Sequence, residues 1–181
     1  MMKSGTAPVR LLMGLGLCSW VLTIAPSVIT IPSTKTPLVS TQTGFQTYIN
    51  ARFGYRIAYP TDFTPQGESQ NGDGQVFIGR DGAELRVWGG YNVLQETPAS
   101  ALQQELRRCR ENRRQVTYRT VGQGFFVLSG YESDRIRIFY LKKMVRPSLQ
   151  VGFEFVYPVK NRSRYDRDVT FMANSLRLLT P

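Results

Sequence analysis

Residues 149–157 read LQVGFEFVY and hold the clearest strand pattern in the chain. Apolar side chains occupy every second position from Leu149 to Tyr157, and most positions between them carry polar or small residues. This two-residue period is typical of a β-strand with one apolar face. We therefore predict a strand here that packs one face against a core.

Three more strands are predicted directly before this one. They cover residues 116–121, 125–131 and 135–145. In the last of them, Ile136, Ile138 and Tyr140 share one face. The joins are short and rich in turn formers, as at residues 146–148. Short joins make consecutive strands antiparallel neighbours.

The first half of the domain carries shorter patterns. Residues 55–59 alternate as a strand does, and residues 61–74 are polar and rich in turn formers, so we predict a loop there. The next predicted strands, 76–78 and 83–90, flank an Asp-Gly hairpin turn.

Two helices complete the pattern. Thr97 is predicted to cap the first, with Pro98 at its first position. Its buried stripe is formed by Leu102, Leu106 and Cys109.

The second helix is predicted to begin at a Ser163 cap, with Asp166 completing a capping box. Its buried stripe consists of Tyr165, Val169, Met172 and Leu176. Residues 45–181 therefore predict one α+β domain, a single antiparallel sheet of about six to eight strands with helices packed on it.

The N-terminus has the order of a secretory signal. Lys3 and Arg10 precede an apolar run, and Ala25-Pro26-Ser27 places small residues where cleavage requires them. We predict a signal peptide over 1–27 and export to the periplasm or thylakoid lumen. An uncleaved anchor and lipidation at Cys18 are the alternatives, and both would keep the protein at a membrane.

Residues 28–44 are rich in Pro, Thr and Ser, and they predict a tether. Cleavage at the signal would leave Cys109 as the one cysteine, so no internal disulfide is expected.

Composition narrows the classes of function. The chain carries 23 Lys and Arg against 13 Asp and Glu, which favours an anionic membrane surface, polymer or acidic protein as partner. Export places nucleic acid out of reach. The sequence contains no His, which excludes Ser-His-Asp and Cys-His catalysis and imidazole metal sites. We expect no catalytic residue, no metal and no small-molecule cofactor.

Two sets of residues are candidates for binding. Arg107, Arg110 and Arg114 fall on one flank of the first helix, where they could hold a phosphate, a carboxylate patch or a membrane surface. A solvated helix face explains them equally well. Trp88 and Tyr91 could line a groove for a sugar or apolar ligand, or simply pack in the core.

Other motifs favour structural explanations. Residues 71–74, NGDG, lack the further oxygen ligands of a calcium loop and are typical of a plain turn pair. Four acids on or near strands could in principle support glycoside hydrolysis, although a solvated face accounts for them. They are Glu84, Glu132, Asp134 and Glu154.

Two short motifs resemble the PsbP-like family, which includes the extrinsic subunit of photosystem II and small exported bacterial proteins of the DcrB type. Residues 53–60, FGYRIAYP, are similar to the family's opening strand, and residues 174–177, NSLR, to its closing signature with Leu176 in place of an aromatic residue. The resemblance implies the fold and an accessory, non-catalytic role.

Three functions are therefore expected, in this order. The first is a non-enzymatic exported accessory protein that docks onto an envelope or thylakoid-lumen partner. The second is a peripheral binder of anionic lipid or polymer through the helix arginines. The third is a small hydrolase that uses carboxylates.

Overall fold

The computed structural model describes residues 44–179, which contain ten strands and two α-helices. The predicted signal, Cys18 and nearly all of the tether lie outside the described residues. The strands are β1 (Phe45–Asn50), β2 (Tyr55–Pro60), β3 (Phe63–Glu68), β4 (Gly74–Gly79), β5 (Glu84–Tyr91), β6 (Gln115–Gly122), β7 (Phe125–Tyr131), β8 (Arg137–Val145), β9 (Leu149–Pro158) and β10 (Arg177–Leu178). The helices are α1 (Pro98–Glu111) and α2 (Arg162–Ser175).

Seven strands form the main sheet, in the order β3-β4-β5-β9-β8-β7-β6. Every neighbouring pair is antiparallel, so the predicted α+β class and the antiparallel order of β6 to β9 are confirmed. Strand β9, with its alternating apolar residues, is the central strand. The structure adds a second sheet of three strands, β1-β2-β10.

The small sheet and α2 cover one face of the main sheet. The predicted stripe of α2 is buried throughout, from Tyr165 to Leu176. It packs with Tyr55 and Ile57 of β2 against Phe153 and other alternate residues of the central strands.

Helix α1 covers part of the opposite face. Its predicted stripe, Leu102, Leu106 and Cys109, is buried against apolar residues of β7 and β8. Burial raises the pKa of the Cys109 thiol. Cys109 is therefore a packed core residue.

The start of α1 follows the sequence prediction. The Thr97 hydroxyl accepts a hydrogen bond from the Ser100 amide at 3.2 Å, and the Ser100 hydroxyl accepts one from the Thr97 amide at 2.9 Å. This reciprocal capping box satisfies two amides that the first turn leaves free, and Pro98 has none to satisfy.

The predicted cap of α2 is wrong. A short 3₁₀ turn, Val159–Asn161, leads into the helix, and Asn161 occupies the N-cap without a capping side-chain bond. Ser163 already lies inside the helix. The Asp166 carboxylate accepts from the Tyr157 hydroxyl and from Arg162 instead of from the backbone.

Two boundaries also differ from the prediction. Residues 61–74, predicted as a loop, contain the outer strand β3. Its side chains are mostly exposed and polar, so they show no apolar period that would predict a strand. Strand β8 begins at Arg137, because Arg135 turns with φ of 57° and Ile136 is 70% exposed. Ile136 therefore does not share the buried face of Ile138.

Both outer strands of the main sheet are irregular. The register of β3 against β4 shifts between Pro65 and Glu68, and that of β6 against β7 shifts between Val116 and Tyr118. These are β-bulges, which bend and twist a strand locally. Among residues 44–179, no helix is long and apolar enough to cross a membrane.

Candidate functional site

The three predicted arginines do not share one flank of α1. Arg107 and Arg110 are exposed on the helix, but α1 ends at Glu111 and Arg114 lies beyond it. Arg113 adopts a φ of 56°, and the Arg114 amide bonds back to the Cys109 carbonyl at 2.8 Å. This is a Schellman-type end, which turns the chain toward the sheet.

Arg114 is the centre of a partly buried ion-pair cluster rather than a freely exposed group. Its guanidinium lies 2.6 Å from Glu154 and 2.8 Å from Glu132, and 4.9 Å from the centre of the Phe139 ring. Burial by itself would lower the pKa of Arg114, but hydrogen bonds and charges of Glu154 and Glu132 hold the pKa above its usual value.

The candidate acids are counterions in the structure. Glu132 and Glu154 both bind Arg114, while Glu84 pairs with Arg86 and Asp134 with Arg137. No group of three or more acids or cysteines in residues 44–179 is arranged to hold a metal ion. In the NGDG turn, the Asp73 carboxylate accepts hydrogen bonds from Ser69 and Asn71, which are bonds of a turn.

Trp88 and Tyr91 do not form one groove. They are three positions apart on β5, and an odd spacing places two side chains on opposite faces of a strand. Trp88 lies on the α1 side against Gly152, where an added Cβ would meet the indole at 3.0 Å. Tyr91 lies on the other side, edge-on to Phe53 with ring centres 5.3 Å apart.

Sequence reasoning missed the segment at the end of β5, residues 91–96, which we call the 91–96 loop. It exposes three large apolar side chains: Tyr91 is 67% exposed, Val93 79% and Leu94 71%. Between them, Asn92 is 2% exposed. No period marks such a loop, and the burial of Asn92 depends on contacts that are distant in the chain.

Asn92 holds this loop in place. Its amide nitrogen donates to the carbonyls of Glu96 and Arg146, both at 2.9 Å. Its side-chain oxygen accepts from the Glu96 amide at 2.8 Å and from Gln150 at 2.9 Å. Every bonding position of one buried amide is thus used to fix the backbone beside the exposed apolar residues.

The opposite end of the main sheet is basic. The pairing register brings together the β4–β5 turn, the α1–β6 turn, the β7–β8 turn and the link from β9 to α2. Five exposed bases without an ion pair among the described residues lie in these turns or in the last turn of α1. They are Arg80, Arg110, Arg113, Arg135 and Lys160, which we call the basic end.

Comparisons with known proteins identify the fold. No protein-family model and no curated protein matches the sequence. The solution structure of cyanobacterial PsbP (CyanoP) from Synechocystis sp. PCC 6803 is similar, with a TM-score of 0.59 and 12% identity over 75% of this chain and 92% of that chain. A structure from Bacteroides thetaiotaomicron VPI-5482 has a TM-score of 0.50 and 11% identity over 75% of this chain and 48% of that chain, so this chain spans about half of its length. The fold is therefore PsbP-like, as the sequence motifs predicted.

Proposed function

We propose that this PsbP-like domain is a non-enzymatic exported accessory protein that docks onto a membrane-associated protein of the periplasm or thylakoid lumen. The observation that carries the proposal is the 91–96 loop, with its exposed Tyr91, Val93 and Leu94. Large apolar groups that cluster at one exposed position mark interaction surfaces more often than isolated ones do.

The loop is built for binding without a prior ordering step. Because Asn92 makes three hydrogen bonds to backbone groups and one to the Gln150 side chain, the backbone that carries the three apolar side chains is held in a defined arrangement. A surface that is ordered before binding loses less conformational entropy on association. Tyrosine is also among the residues that contribute most to the binding free energy at protein interfaces.

An unpaired cation beside the loop indicates one feature of the partner, since the loop's own acid, Glu96, is bound to Gln150. The Arg52 guanidinium lies 5.0 Å from the centre of the Phe53 ring, and that ring contacts Tyr91. Arg52 is exposed and has no ion pair among the described residues. The matching surface is an apolar recess with an acidic border, which suits a folded protein complex.

Photo-crosslinking tests this function in the full chain. A photo-reactive amino acid at position 93 is expected to give one discrete adduct with a membrane-associated protein in cells that make the protein. Leu94→Ser should reduce that adduct about tenfold, which corresponds to about 1.4 kcal/mol. The control is Ile136→Ser, which removes an equally exposed apolar side chain at the basic end.

Equal adduct yields from both variants would overturn the proposal, and so would adducts with lipid alone. Neither side chain is buried, so both variants are expected to retain the wild-type unfolding free energy.

We infer a second candidate function from the basic end, namely binding of an anionic membrane surface. Arg107 and Arg110 were candidates for this role from the sequence, and Arg113 takes the place of Arg114, which is committed to Glu132 and Glu154. Arg107, Arg110 and Arg113 are exposed and have no ion pair among residues 44–179.

Vesicle binding tests the second function. The full chain should bind phosphatidylglycerol vesicles but not neutral vesicles, and binding should fall as salt shortens the screening length from about 10 Å at 0.1 M. Replacing Arg107, Arg110 and Arg113 by Glu should abolish it, whereas Arg56→Glu on the small sheet should not. Binding that survives the triple change would contradict this function.

A further inference from the structure

Lys143 has a mostly buried side chain whose ammonium forms an ion pair with Glu105 but donates no hydrogen bond to the described residues. It lies on β8, on the α1 side of the main sheet, and only 7% of the residue is exposed. The nearest carboxylate oxygen, Glu105 Oε1, is 3.6 Å from its Nζ, which is too long for a hydrogen bond. That oxygen already accepts from Arg108 at 2.9 Å.

The neighbouring lysine shows the contrast. Lys142 points to the other face, and its Nζ donates to the Ala173 carbonyl at 2.6 Å. An ammonium group has three donors, and the Lys143 ammonium is not sealed off, because it reaches solvent at a surface depression. Lys143 is therefore placed where an acceptor from outside the described chain would find strong donors.

A depression of about 280 Å³ opens beside the edge of α1, and Lys143 lines it. The charged lining holds four bases and two acids, Glu105 and Glu154. Three of the bases, Arg86, Arg108 and Arg114, are hydrogen-bonded to acids, which leaves Lys143 as the lining base with free donors. The volume is at or just below the lower limit for drug-sized ligands, and it fits a small group.

We propose that this depression binds the oxyanion group of a small molecule, either a phosphate or a carboxylate, with Lys143 as its principal donor. The Arg108 side chain is 56% exposed at the mouth of the depression, where it can close over the anion. Arg114 is held by two acids and keeps the wall in place. Trp88 supplies an apolar wall for the rest of the ligand.

Glu105 gives the proposal a discriminating feature. Its carboxylate shares the depression with Lys143 and repels an incoming anion. If Lys143 served only as the partner of Glu105, removing the Glu105 charge would weaken the structure and bring no anion. In an anion site, the same change makes Lys143 and Arg108 more available, so anion binding becomes stronger.

The test is a titration of the full chain with inorganic phosphate at constant ionic strength, in which NMR chemical shifts of the backbone amides are recorded at each phosphate concentration. A parallel titration with acetate distinguishes a phosphate site from a carboxylate site. We expect saturable shifts around residues 105–108 and 141–143. Lys143→Met should weaken binding by about tenfold or more, because it removes the charged donor.

Two further variants and a control make the result decisive. Glu105→Gln should tighten binding several-fold, and Arg108→Gln should weaken it without touching a buried residue, so the site stays testable if Lys143→Met does not fold. Lys160→Met removes the same charge from an exposed position and should leave binding unchanged. Shifts that do not saturate with either anion, or equal affinities for wild type and the Lys143 and Arg108 variants, would overturn the proposal.

Discussion

Arg114 organises the charges on the α1 side of the sheet. It joins the end of α1 to Glu132 after β7 and to Glu154 in β9, and all three side chains are mostly buried at 22%, 13% and 17% exposure. Removing the cation leaves two carboxylates close together without their counterion. Removing one member of a buried ion pair lowers the free energy of unfolding far more than removing one member of an exposed pair.

We therefore expect Arg114→Met to lower the free energy of unfolding by about 2–4 kcal/mol, near the range for broken buried pairs. Arg110→Met, at an exposed position with no ion pair among the described residues, should change it by less than about 0.5 kcal/mol. Urea unfolding of both variants measures the difference. Similar values for the two would mean that the Arg114 ion pairs contribute little.

Asp81 makes the stability depend on pH. Partial burial acts to raise its pKa, but hydrogen bonds from Tyr165, Ala83 and Asn161 outweigh burial and hold the pKa below the ordinary 3.8. The bonds from Tyr165 and Asn161 tie the β4–β5 turn to the start of α2, and the bond from Ala83 lies within the turn.

A lowered carboxyl pKa stabilises the folded state fully above the unfolded value, and this stabilisation is lost as the pH falls through the folded value. Asp81→Asn should therefore lose less stability than the wild type between about pH 5 and about pH 3, while being less stable at about pH 6. Urea midpoints at each pH provide the measurement. Parallel pH curves for the two proteins would show that Asp81 is not a source of the acid sensitivity.

At the scale of elements, the two helix starts give a matched pair of substitutions. Thr97 accepts a hydrogen bond from the first turn of α1, whereas Ser163 makes no capping bond in α2. Thr97→Ala should cost about 1 kcal/mol of unfolding free energy. Ser163→Ala should cost nothing measurable, because alanine suits a helix interior at least as well. A loss of equal size at Ser163 would show that the predicted cap exists after all.

Local patterns were enough to predict most elements, because their signals lie within a few residues. The two-residue period of β9 and the Thr97-Pro98 start of α1 are signals of this kind. Strand β3 was missed because an outer strand has exposed side chains and no apolar period. Such a strand is defined by its hydrogen bonds to a neighbouring strand, which a local sequence pattern does not report.

The candidate sites depended on contacts that no local pattern reports. Helical spacing put Arg114 beside Arg110, but the turn at Arg113 redirected it to Glu154. The roles of Asn92 and Lys143 follow from partners more than 30 residues away in the chain. Charge composition could predict that bases would be exposed, but not which would remain unpaired.

At the scale of the molecule, the two ends of the main sheet differ in chemistry. The apolar 91–96 loop follows β5, and the basic end lies around its start, about 25 Å away along eight residues. Groups this far apart with no shared contact act independently.

Leu94→Ser should therefore reduce partner crosslinking without changing vesicle binding, and Arg110→Glu should do the reverse. The unfolding free energy of the combined variant should equal the sum of the single effects within about 0.5 kcal/mol. Parallel crosslinking, vesicle and urea assays on the three variants check this. Loss of both activities in one single variant would show that the ends are coupled.

The shifted registers of the outer strands affect how the protein behaves in a crowded compartment. A straight sheet edge offers unpaired backbone groups to any passing chain, which then adds as an extra strand and seeds fibres. Here β3, with Pro65 at its shift, and β6 interrupt both edges. A neighbouring molecule therefore meets no continuous template along either edge of the main sheet, and we expect this sheet to resist the addition of further strands.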